Sequence, residues 1–393
     1  MGVPGLDTLI AKGVRGKRVF VRADLNVPLA NGRITDDTRI RASLPTLERL
    51  RVAGARVIVA SHLGRPKGEP KPEFSLRPVA PRLAELLGCG VSFCDDCIGT
   101  DARRMAEDLG AGEVLLLENV RFHPGETKND PDFARALAQL ADAFVLDAFG
   151  TAHRAHASTA GITEHVTDVA AGELLESELE HLRVVREPER PLMVVLGGAK
   201  VSDKLAVLEA LAPHADVLAI GGAMSYTFMA ARGESVGSSL MEPERIEDAK
   251  RILDAADASG RTLLIPTDHV VAQKIEDGAE TRVVDSIPDG WMGVDIGPET
   301  AARYAEAIAN ARTFFWNGPM GVFEISAFSQ GTARVASAAA EASATTVVGG
   351  GDSLAAINQQ GVGDRITHLS TGGGASLEYV QGLVLPGVAA LER

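Results

Sequence analysis

Thr371-Gly372-Gly373-Gly374-Ala375-Ser376 joins a short apolar run, residues 366–369, to a helix-like pattern that continues through Leu383. Three glycines between a strand and a helix let the backbone approach an anion closely, and the first N–H groups of the helix then point at that anion. One such segment taken alone can equally be a flexible turn. Glycines follow apolar runs at three further places, Gly197-Gly198-Ala199-Lys200, Gly221-Gly222 and Gly349-Gly350-Gly351-Asp352. This recurrence favours phosphate-binding junctions in the C-terminal half.

Short apolar runs rich in Val, Ile and Leu recur along the whole chain and predict buried strands. Most are continuous rather than alternating, which is typical of a parallel sheet covered by helices on both faces. Segments of helical length and spacing lie between them, so we predict an α/β fold with two sheets. The runs occupy residues 19–21, 57–60, 114–117, 144–146, 193–196, 217–220, 263–265, 314–316 and 345–348.

A chain of 393 residues is too long for one typical hydrophobic core, so two domains are expected. Leucines at 174, 175, 179 and 182 predict an amphipathic helix, and Pro188 and Pro191 then end it. We interpret residues 172–187 as an interdomain helix. The N-terminal domain is then predicted over residues 1–171, and the C-terminal domain begins at residue 188.

Charge and hydropathy exclude several classes of protein. The formal net charge of −14 argues against general nucleic-acid binding, which needs a basic face. The sequence has no apolar stretch long enough to cross a membrane, and its first residues lack the profile of a signal peptide. We therefore expect a cytoplasmic protein that binds neither nucleic acid nor a membrane.

The three cysteines, Cys89, Cys94 and Cys97, lie close together. A zinc site would need a fourth ligand, and no Cys or His follows at a suitable spacing before His123. Reduced thiols are the expectation, with Cys94 and Cys97 in a loop.

Familiar nucleotide motifs are absent from the sequence. It contains no G-x-x-x-x-G-K-[ST] and no G-x-G-x-x-G, and the signatures V-A-I-K, H-R-D and D-F-G of protein kinases are missing too. Walker-type NTPases, typical dinucleotide enzymes and protein kinases are thereby disfavoured.

The N-terminal half carries many basic residues at or just after the predicted strand ends. Arginine matches phosphate and carboxylate oxygens with a planar fork, and Asp24 and Asn26 can orient a hydroxyl group. Each arginine alone is more often a solvated surface charge, but several at strand ends favour a small polyanion as partner. The basic residues are Arg22, Arg39, His62, Arg65, Arg121, His153, Arg154 and His156.

The C-terminal half carries fewer candidate cations. Lys200 and Lys204 are spaced i, i+4, so one helix face can direct both at the same phosphate chain, although a lone lysine pair is more often a surface feature. Asp352 is a candidate for holding magnesium, which prefers carboxylate and phosphate oxygens. The alternative is that Asp352 caps a helix beginning near Leu354, and it can do both.

Seven segments, taken together and in order, resemble the phosphoglycerate kinase family. The likeness runs from about residue 5 to the end of the chain. The segments are RADLNVP at 22–28, SHLGRP at 61–66, ENVRF at 118–122, DAFGTAHR at 147–154, GGAKVSDK at 197–204, WNGPMGVFE at 316–324 and STGGGAS at 370–376.

The resemblance implies an ATP:3-phosphoglycerate 1-phosphotransferase, which has a carboxyl group as acceptor. Such an enzyme transfers a phosphoryl group reversibly from 1,3-bisphosphoglycerate to Mg-ADP, giving 3-phosphoglycerate and ATP in glycolysis and gluconeogenesis. It also implies two Rossmann-like lobes, the first binding phosphoglycerate and the second, through residue 376, binding nucleotide. Residues 377–393 would return to the N-terminal lobe, and the protein would be a monomer.

The resemblance also implies roles for individual residues. Catalytic roles fall to Arg39, Lys204, Gly372, Gly373 and Gly374, and the magnesium ligand is Asp352. The phosphoglycerate-binding residues are Asp24, Asn26, Arg39, His62, Leu63, Gly64, Arg65, Arg121 and Arg154. The nucleotide-binding residues are Gly198, Ala199, Lys200, Lys204, Gly222, Gly293, Asn317, Glu324, Gly350, Gly351, Asp352 and Ser353.

Two other classes remain as alternatives at this point. A nucleotide-binding scaffold without turnover is disfavoured because Arg39, Lys204, Asp352 and the three consecutive glycines are all present. Another α/β transferase or an oxidoreductase is disfavoured by the basic N-terminal cluster and the missing dinucleotide motif.

Overall fold

The structure, a computed structural model, describes residues 2–392. These residues form two compact units. The first contains the residues up to Leu179 together with those from Val384 onward, and the second runs from Glu180 to Leu383.

A six-stranded sheet lies at the centre of the first unit, and every neighbouring pair of strands is parallel. Its central strands are buried along most of their length, as the continuous apolar runs predict. In spatial order the strands are Val91–Cys94, Val114–Leu117, Arg56–Ala60, Arg18–Ala23, Ala143–Asp147 and Asp168–Ala171.

The two edge strands of this sheet were not expected from the sequence. Val91–Cys94 is largely half-exposed and Asp168–Ala171 begins with a charged residue, so neither forms a clear apolar run. The prediction that Cys94 lies in a loop is wrong. Cys94 ends an edge strand and is buried, because pairing with Leu117 holds it against the sheet.

Helices cover both faces of this sheet, and a short hairpin joins Leu29–Ala30 to Arg33–Ile34. The C-terminal helix Pro386–Ala389 packs against Phe149–Ala152 within the same unit. The α-helices are Leu6–Ala11, Thr38–Val52, Val79–Leu87, Gly99–Asp108, Pro124–Thr127, Pro131–Ala138, Phe149–Ala152 and Pro386–Ala389; 3₁₀ turns are Pro72–Phe74, Val120–Phe122 and Gly161–His165.

The second unit also has a six-stranded, fully parallel sheet. Numbered in chain order within the sheet, its strands lie in the order 3-2-1-4-5-6 of a Rossmann fold. The crevice between strands 1 and 4 is where such sheets bind ligands. In spatial order the strands are Thr262–Leu264, Val217–Ile220, Leu192–Leu196, Thr313–Asn317, Thr345–Gly349 and His368–Ser370.

A separate antiparallel sheet in this unit contains Thr281–Val284, His269–Ala272 and Met292–Ile296 in that spatial order. It was not expected from the sequence, because Thr281–Val284 is almost entirely exposed and has no apolar pattern. The α-helices of the unit are Leu205–Leu211, Met224–Ala231, Ile246–Ala258, Pro298–Ala309, Gln330–Glu341, Gly351–Gln360 and Gly374–Val380; 3₁₀ turns are Pro243–Arg245, Ser326–Phe328 and Gly363–Arg365.

One helix, Glu173–Arg186, passes from the first unit into the second. Its bounds agree with the helix expected over residues 172–187. The α/β fold class with two mainly parallel sheets is confirmed. None of the helices among residues 2–392 combines the length and the apolar character needed to span a membrane.

Candidate active site

Arg22 lies in the strand Arg18–Ala23 and is completely buried. Its Nε donates to Ser158 Oγ at 2.7 Å, and its Nη1 donates to the carbonyl oxygen of Ala23 at 2.5 Å. Its Nη2 lies 3.2 Å from His62 Nδ1. These contacts hold the guanidinium group at the carboxyl end of the sheet, beside His62.

A buried carboxylate lies behind this arginine. Glu126 is fully buried, and its oxygens accept hydrogen bonds from the backbone N–H and the hydroxyl of Ser158, at 2.9 and 2.6 Å. Its charge acts on both Arg22 and Arg121. Glu126 and Ser158 were not predicted as site residues, because neither belongs to a motif or a strand end that singles it out.

Burial and nearby arginines lower the pKa values of two buried histidines. Burial, and then the charges of Arg22, Arg121, Arg39 and Arg154, lower the pKa of His62 well below its ordinary value. Burial and neighbouring arginines also lower the pKa of His156 to about 3. Both rings are therefore neutral at pH 7, and the positive charge of this region resides on the guanidinium groups.

Arg121 belongs to the same group of cations. Burial, and then the charges of Arg22 and Arg154, lower its pKa to about 10. Its Nη1 donates to the carbonyl oxygen of Gly64 at 2.9 Å, while Asn119 Oδ1 accepts its backbone N–H at 3.0 Å. Positive groups that lie close enough to lower one another's pKa values create a positive potential, and such a site favours binding of an anion. We call Arg22, Arg39, Arg121, Arg154 and His62 the basic cluster.

Polar side chains follow the central strand Arg18–Ala23 of the sheet. Asp24 Oδ2 accepts a hydrogen bond from Arg39 Nη1 at 2.5 Å, and the Asp24 side chain is only 9% exposed. Asn26 Oδ1 accepts the backbone N–H of Gly64 at 2.8 Å. The hydrogen bond between Asn26 and Gly64 thus connects the RADLNVP segment at residues 22–28 directly to the SHLGRP segment at residues 61–66.

The remaining predicted residues of this unit differ in exposure. The Leu63 side chain is buried in the hydrophobic core. Its backbone carbonyl oxygen accepts a hydrogen bond from Asn119 Nδ2 at 2.7 Å. Arg154 is half-buried and its Nε donates to His153 Nε2 at 3.1 Å. Arg65 is exposed to solvent.

The second unit contains a cavity of about 300 Å³ beside the crevice between its first and fourth strands. Six residues predicted to bind nucleotide line it: Gly198, Ala199, Gly222, Gly293, Glu324 and Asp352. Its apolar walls, which the sequence did not reveal because they come from scattered positions, include Tyr226, Leu240, Ile275, Met292, Pro319 and Met320.

Two glycines shape this site by their backbone conformation. Gly222 has φ of 68°, and a Cβ there would lie 2.5 Å from the carbonyl oxygen of Gly198. Gly350 has φ of 92°, and a Cβ there would lie 2.9 Å from Asn317 Nδ2. A larger residue at either position would strain the backbone and displace the neighbouring loop.

Polar groups converge at the end of strand Thr313–Asn317. Lys204 Nζ donates to Asn317 Oδ1, and the buried Asn317 Nδ2 has no hydrogen-bond partner among residues 2–392. Ser353 Oγ accepts the backbone N–H of Gly318 at 2.6 Å. Burial lowers the pKa of Lys204, although the charge of Asp352 opposes this effect. The free amide donor and the lysine next to it suit an anionic ligand.

Two predictions about local helices in this unit are wrong. Lys200 and Lys204 do not share a helix face, because the helix begins only at Leu205; residues 201–204 form a turn in which Ser202 binds Glu242. Lys200 is exposed. Asp352 is not the cap of a helix beginning near Leu354, because the helix begins at Gly351 with Gly350 as its cap.

The three consecutive glycines lie between strand His368–Ser370 and helix Gly374–Val380. Gly373 has φ of 56°, and a Cβ there would meet no atom within 4 Å, so its backbone faces open space. Gly372 N donates to Ser370 Oγ at 3.3 Å, which fixes the start of the turn. The helical pattern ends at Val380, so the extension through Leu383 is wrong; Gly382, with φ of 86°, follows the helix.

Comparison with known proteins identifies the family. A family model described as phosphoglycerate kinase matches residues 9–383. The chain belongs to the phosphoglycerate kinase family. The phosphoglycerate kinase of Rubrobacter xylanophilus is 56% identical over 381 residues, covering 96% of each chain. That of Anaeromyxobacter sp. strain Fw109-5 is 54% identical over 393 residues, covering 98% of this chain and 99% of the relative.

Solved structures agree with this assignment. The phosphoglycerate kinase of Coxiella burnetii superposes with a TM-score of 0.91 at 42% identity, covering 99% of both chains. The phosphoglycerate kinase of Pyrococcus horikoshii OT3 gives a TM-score of 0.84 at 34% identity, covering 99% of this chain and 98% of the other. The resemblance noted in the sequence is confirmed. The chain is a kinase that transfers a phosphoryl group between 1,3-bisphosphoglycerate and ADP, which is a reaction of glycolysis.

Proposed function

We propose that the basic cluster of the first unit binds the phosphoglycerate and that the glycine-lined cavity of the second unit binds the nucleotide. In this proposal residues 1–171 act as the phosphoglycerate-binding domain, residues 188–376 act as the nucleotide-binding domain, and residues 172–187 join them. Residues 377–393 return to the first domain. The contrast between the two sites carries the proposal, because one gathers arginines around a neutral histidine and the other gathers glycines beside an unpaired amide donor.

On the phosphoglycerate side, Arg121, Arg154, Arg65 and the neutral His62 bind the anionic groups of the substrate. Arginine can offer two parallel N–H donors to a phosphate or a carboxylate. Asp24 and Asn26 orient the substrate hydroxyl, and the backbone of Leu63 and Gly64 lines this region. The support is that Asn26 and Arg121 both contact Gly64 directly.

On the nucleotide side, backbone groups near Gly198, Ala199, Gly222 and Gly293 approach the ligand closely. Glu324 accepts the ribose hydroxyl groups, while Lys200, Lys204 and Asn317 contact the phosphates. Gly350, Gly351 and Ser353 shape the start of the adjoining helix. Supporting this role, Gly198, Ala199, Gly222 and Gly293 line the cavity, and at Gly222 a Cβ would collide with the carbonyl oxygen of Gly198, so the backbone itself forms the wall there.

Transfer of the phosphoryl group needs positioning and neutralisation of charge more than covalent help from the protein. We assign this role to Arg39, Lys204 and the backbone amides of Gly372, Gly373 and Gly374. One helix-terminus contact contributes about 0.3–2 kcal/mol, whereas enzymatic rate enhancement requires at least about 8 kcal/mol. Several groups must therefore act together on the transferring phosphoryl group.

Magnesium is part of this proposal, with Asp352 as its protein ligand. Asp352 lines the cavity and its charge acts on Lys204, so it offers a hard oxygen donor where nucleotide phosphates would lie. These residues fit a magnesium–nucleotide complex. When bound, the ion would neutralise part of the negative charge of the nucleotide phosphates. A monomer in the cytoplasm is the form in which we propose that the enzyme acts.

The proposal is tested by a coupled assay of ATP with 3-phosphoglycerate, with and without magnesium. We expect turnover that needs both the acceptor and the metal. In Asp352→Asn, magnesium-dependent activity should fall by at least about tenfold, since a bound metal ion supplies several kcal/mol of charge stabilisation in the transition state. The matched control is Asp364→Asn, an exposed carboxylate in the same unit, which should behave as the wild type. Full activity in Asp352→Asn, with the wild-type response to magnesium, would remove Asp352 from this role.

A further inference from the structure

Asp96, Cys97 and His123 bring together three different metal-binding groups in the first unit. One carboxylate oxygen, the thiol sulfur and one imidazole nitrogen all lie within 4.8 Å of one another. Asp96 and Cys97 follow the edge strand Val91–Cys94, and His123 follows the 3₁₀ turn Val120–Phe122. The fold thus juxtaposes residues that the sequence separates by more than twenty positions.

The spacing of these atoms suits a single tetrahedral ion. Zinc binds sulfur at about 2.3 Å and nitrogen or oxygen at about 2.0–2.2 Å, so ligands around one ion lie about 3.3–3.6 Å apart. His123 Nε2 and Asp96 Oδ1 are already 2.7 Å apart, joined by a hydrogen bond. An ion that replaced this proton would require these two atoms to move apart from 2.7 Å to about 3.3 Å.

Neighbouring groups orient these side chains. Asp96 Oδ1 accepts the backbone N–H of Cys97 at 2.7 Å and that of Ile98 at 3.4 Å, which fixes the direction of the carboxylate. The His123 ring stacks on Phe133 with centroids 5.1 Å apart. Supporting contacts of this kind hold metal ligands in place before the ion binds.

Access from solvent is also present. Cys97 is buried, but Asp96 is half-exposed on its side chain, and Asp96 and His123 both line an open cavity of about 870 Å³. An ion can therefore enter from the cavity, and water can occupy the fourth position. A site with three protein ligands and one water is an accepted zinc arrangement.

We propose that Asp96, Cys97 and His123 form a binding site for one divalent transition-metal ion of the zinc class. A thiolate and an imidazole select such ions over magnesium, so the site is chemically distinct from the carboxylate at Asp352. A bound ion would link the loop after Val91–Cys94 to the segment that carries Arg121, two residues before His123. Cys94 is not part of the cluster and provides a matched control.

The test is a titration of the EDTA-treated full-length protein with Co²⁺, followed by absorption spectroscopy. We expect one equivalent of Co²⁺ to produce a thiolate-to-cobalt charge-transfer band and visible bands of tetrahedral strength, and Zn²⁺ to abolish both by displacement. Cys94→Ser should retain these bands. Cys97→Ser should lose the charge-transfer band, and His123→Gln should weaken binding by at least about tenfold.

A second measurement guards against variants that fold poorly. Zn²⁺ should raise the thermal unfolding midpoint of the wild type and of Cys94→Ser, since an ion that binds only the folded state stabilises it. The same addition should not raise the midpoint of Cys97→Ser. Absence of a thiolate band in the wild type, or its persistence in Cys97→Ser, would overturn the proposal.

Discussion

Arg39 is the residue whose contacts most directly suggest a role beyond holding substrate. Its Nη1 donates to Asp24 at 2.5 Å, while about a third of its side chain is exposed at the end of the sheet. A guanidinium group that is held by Asp24 on one side and is open on the other can stabilise the negative charge that develops on the phosphoryl group during transfer.

We expect Arg39→Ala to lower kcat by about 10²–10³-fold, as loss of one donor to a transition-state oxygen does. The KM for 3-phosphoglycerate should change far less, because the rest of the basic cluster remains. Steady-state kinetics checks this expectation. Arg41→Ala is the control, since the exposed Arg41 on the same helix pairs with Asp37, the residue that precedes that helix. An unchanged kcat with a raised KM would make Arg39 a binding residue only.

At the scale of single residues, the sequence revealed the motif residues but not their supports. Asp24, Asn26 and Gly64 were predicted and lie in direct contact. Glu126 was not predicted as a site residue, because its hydrogen bonds reach Ser158, 32 positions away, and only the fold brings the two together. Buried partners of this kind have no local signature in a single sequence.

At the scale of elements, continuous apolar runs predicted nine strands of the two parallel sheets. Helix starts were less predictable. One helix begins at Leu205, directly after a turn, and another begins at Gly351, directly after a glycine with positive φ. Neither the turn nor the glycine conformation can be read from the spacing of apolar side chains. The exposed strand Thr281–Val284 was missed because burial, on which the strand signal depends, is absent there.

The helix Glu173–Arg186 begins over a buried carboxylate. Asp147 Oδ1, at the end of its strand, accepts the backbone N–H of Leu174 at 3.0 Å and that of Leu175 at 3.4 Å. Burial raises the pKa of Asp147 from its ordinary value of 3.8 to about 7. The folded chain therefore holds this proton more tightly than the unfolded chain does.

The sign of the resulting pH dependence follows from linkage. The stabilisation due to the proton on Asp147 is fully present below pH 3.8 and is lost as the pH rises through about 7. Asp147→Asn keeps an acceptor for the helix N–H groups but cannot ionise. Its free energy of unfolding should therefore fall less than that of the wild type between about pH 4 and pH 7, where one such group contributes at most about 1.4 kcal/mol per pH unit.

Urea unfolding at several pH values measures this difference. Asp132→Asn is the matched control, since Asp132 is an exposed carboxylate in the same unit and should leave the wild-type slope unchanged. If Asp147→Asn shows the same pH slope as the wild type, the buried proton on Asp147 is not the cause of that slope.

At the scale of the whole molecule, length and the order of the motifs predicted two sheets, each with its own ligand chemistry. The strand order could not be read from the sequence, because parallel pairing joins segments far apart in the chain. The 3-2-1-4-5-6 order of the second sheet places Gly197 and Asn317 on neighbouring strand ends. Because these strands are neighbours, the segments at residues 197–204 and 316–324, which are far apart in the sequence, lie side by side at one candidate site.

The central claim is that the two units hold different substrates. The most direct test is the dependence of the initial rate on ATP and on 3-phosphoglycerate for the wild type, Arg154→Ala and Glu324→Ala. We predict that Arg154→Ala raises only the KM for 3-phosphoglycerate and Glu324→Ala only that for ATP, each by at least about tenfold, since a hydrogen bond to a charged group contributes about 1.5–3 kcal/mol. Exchanged effects, or equal effects of both variants on both substrates, would contradict the account.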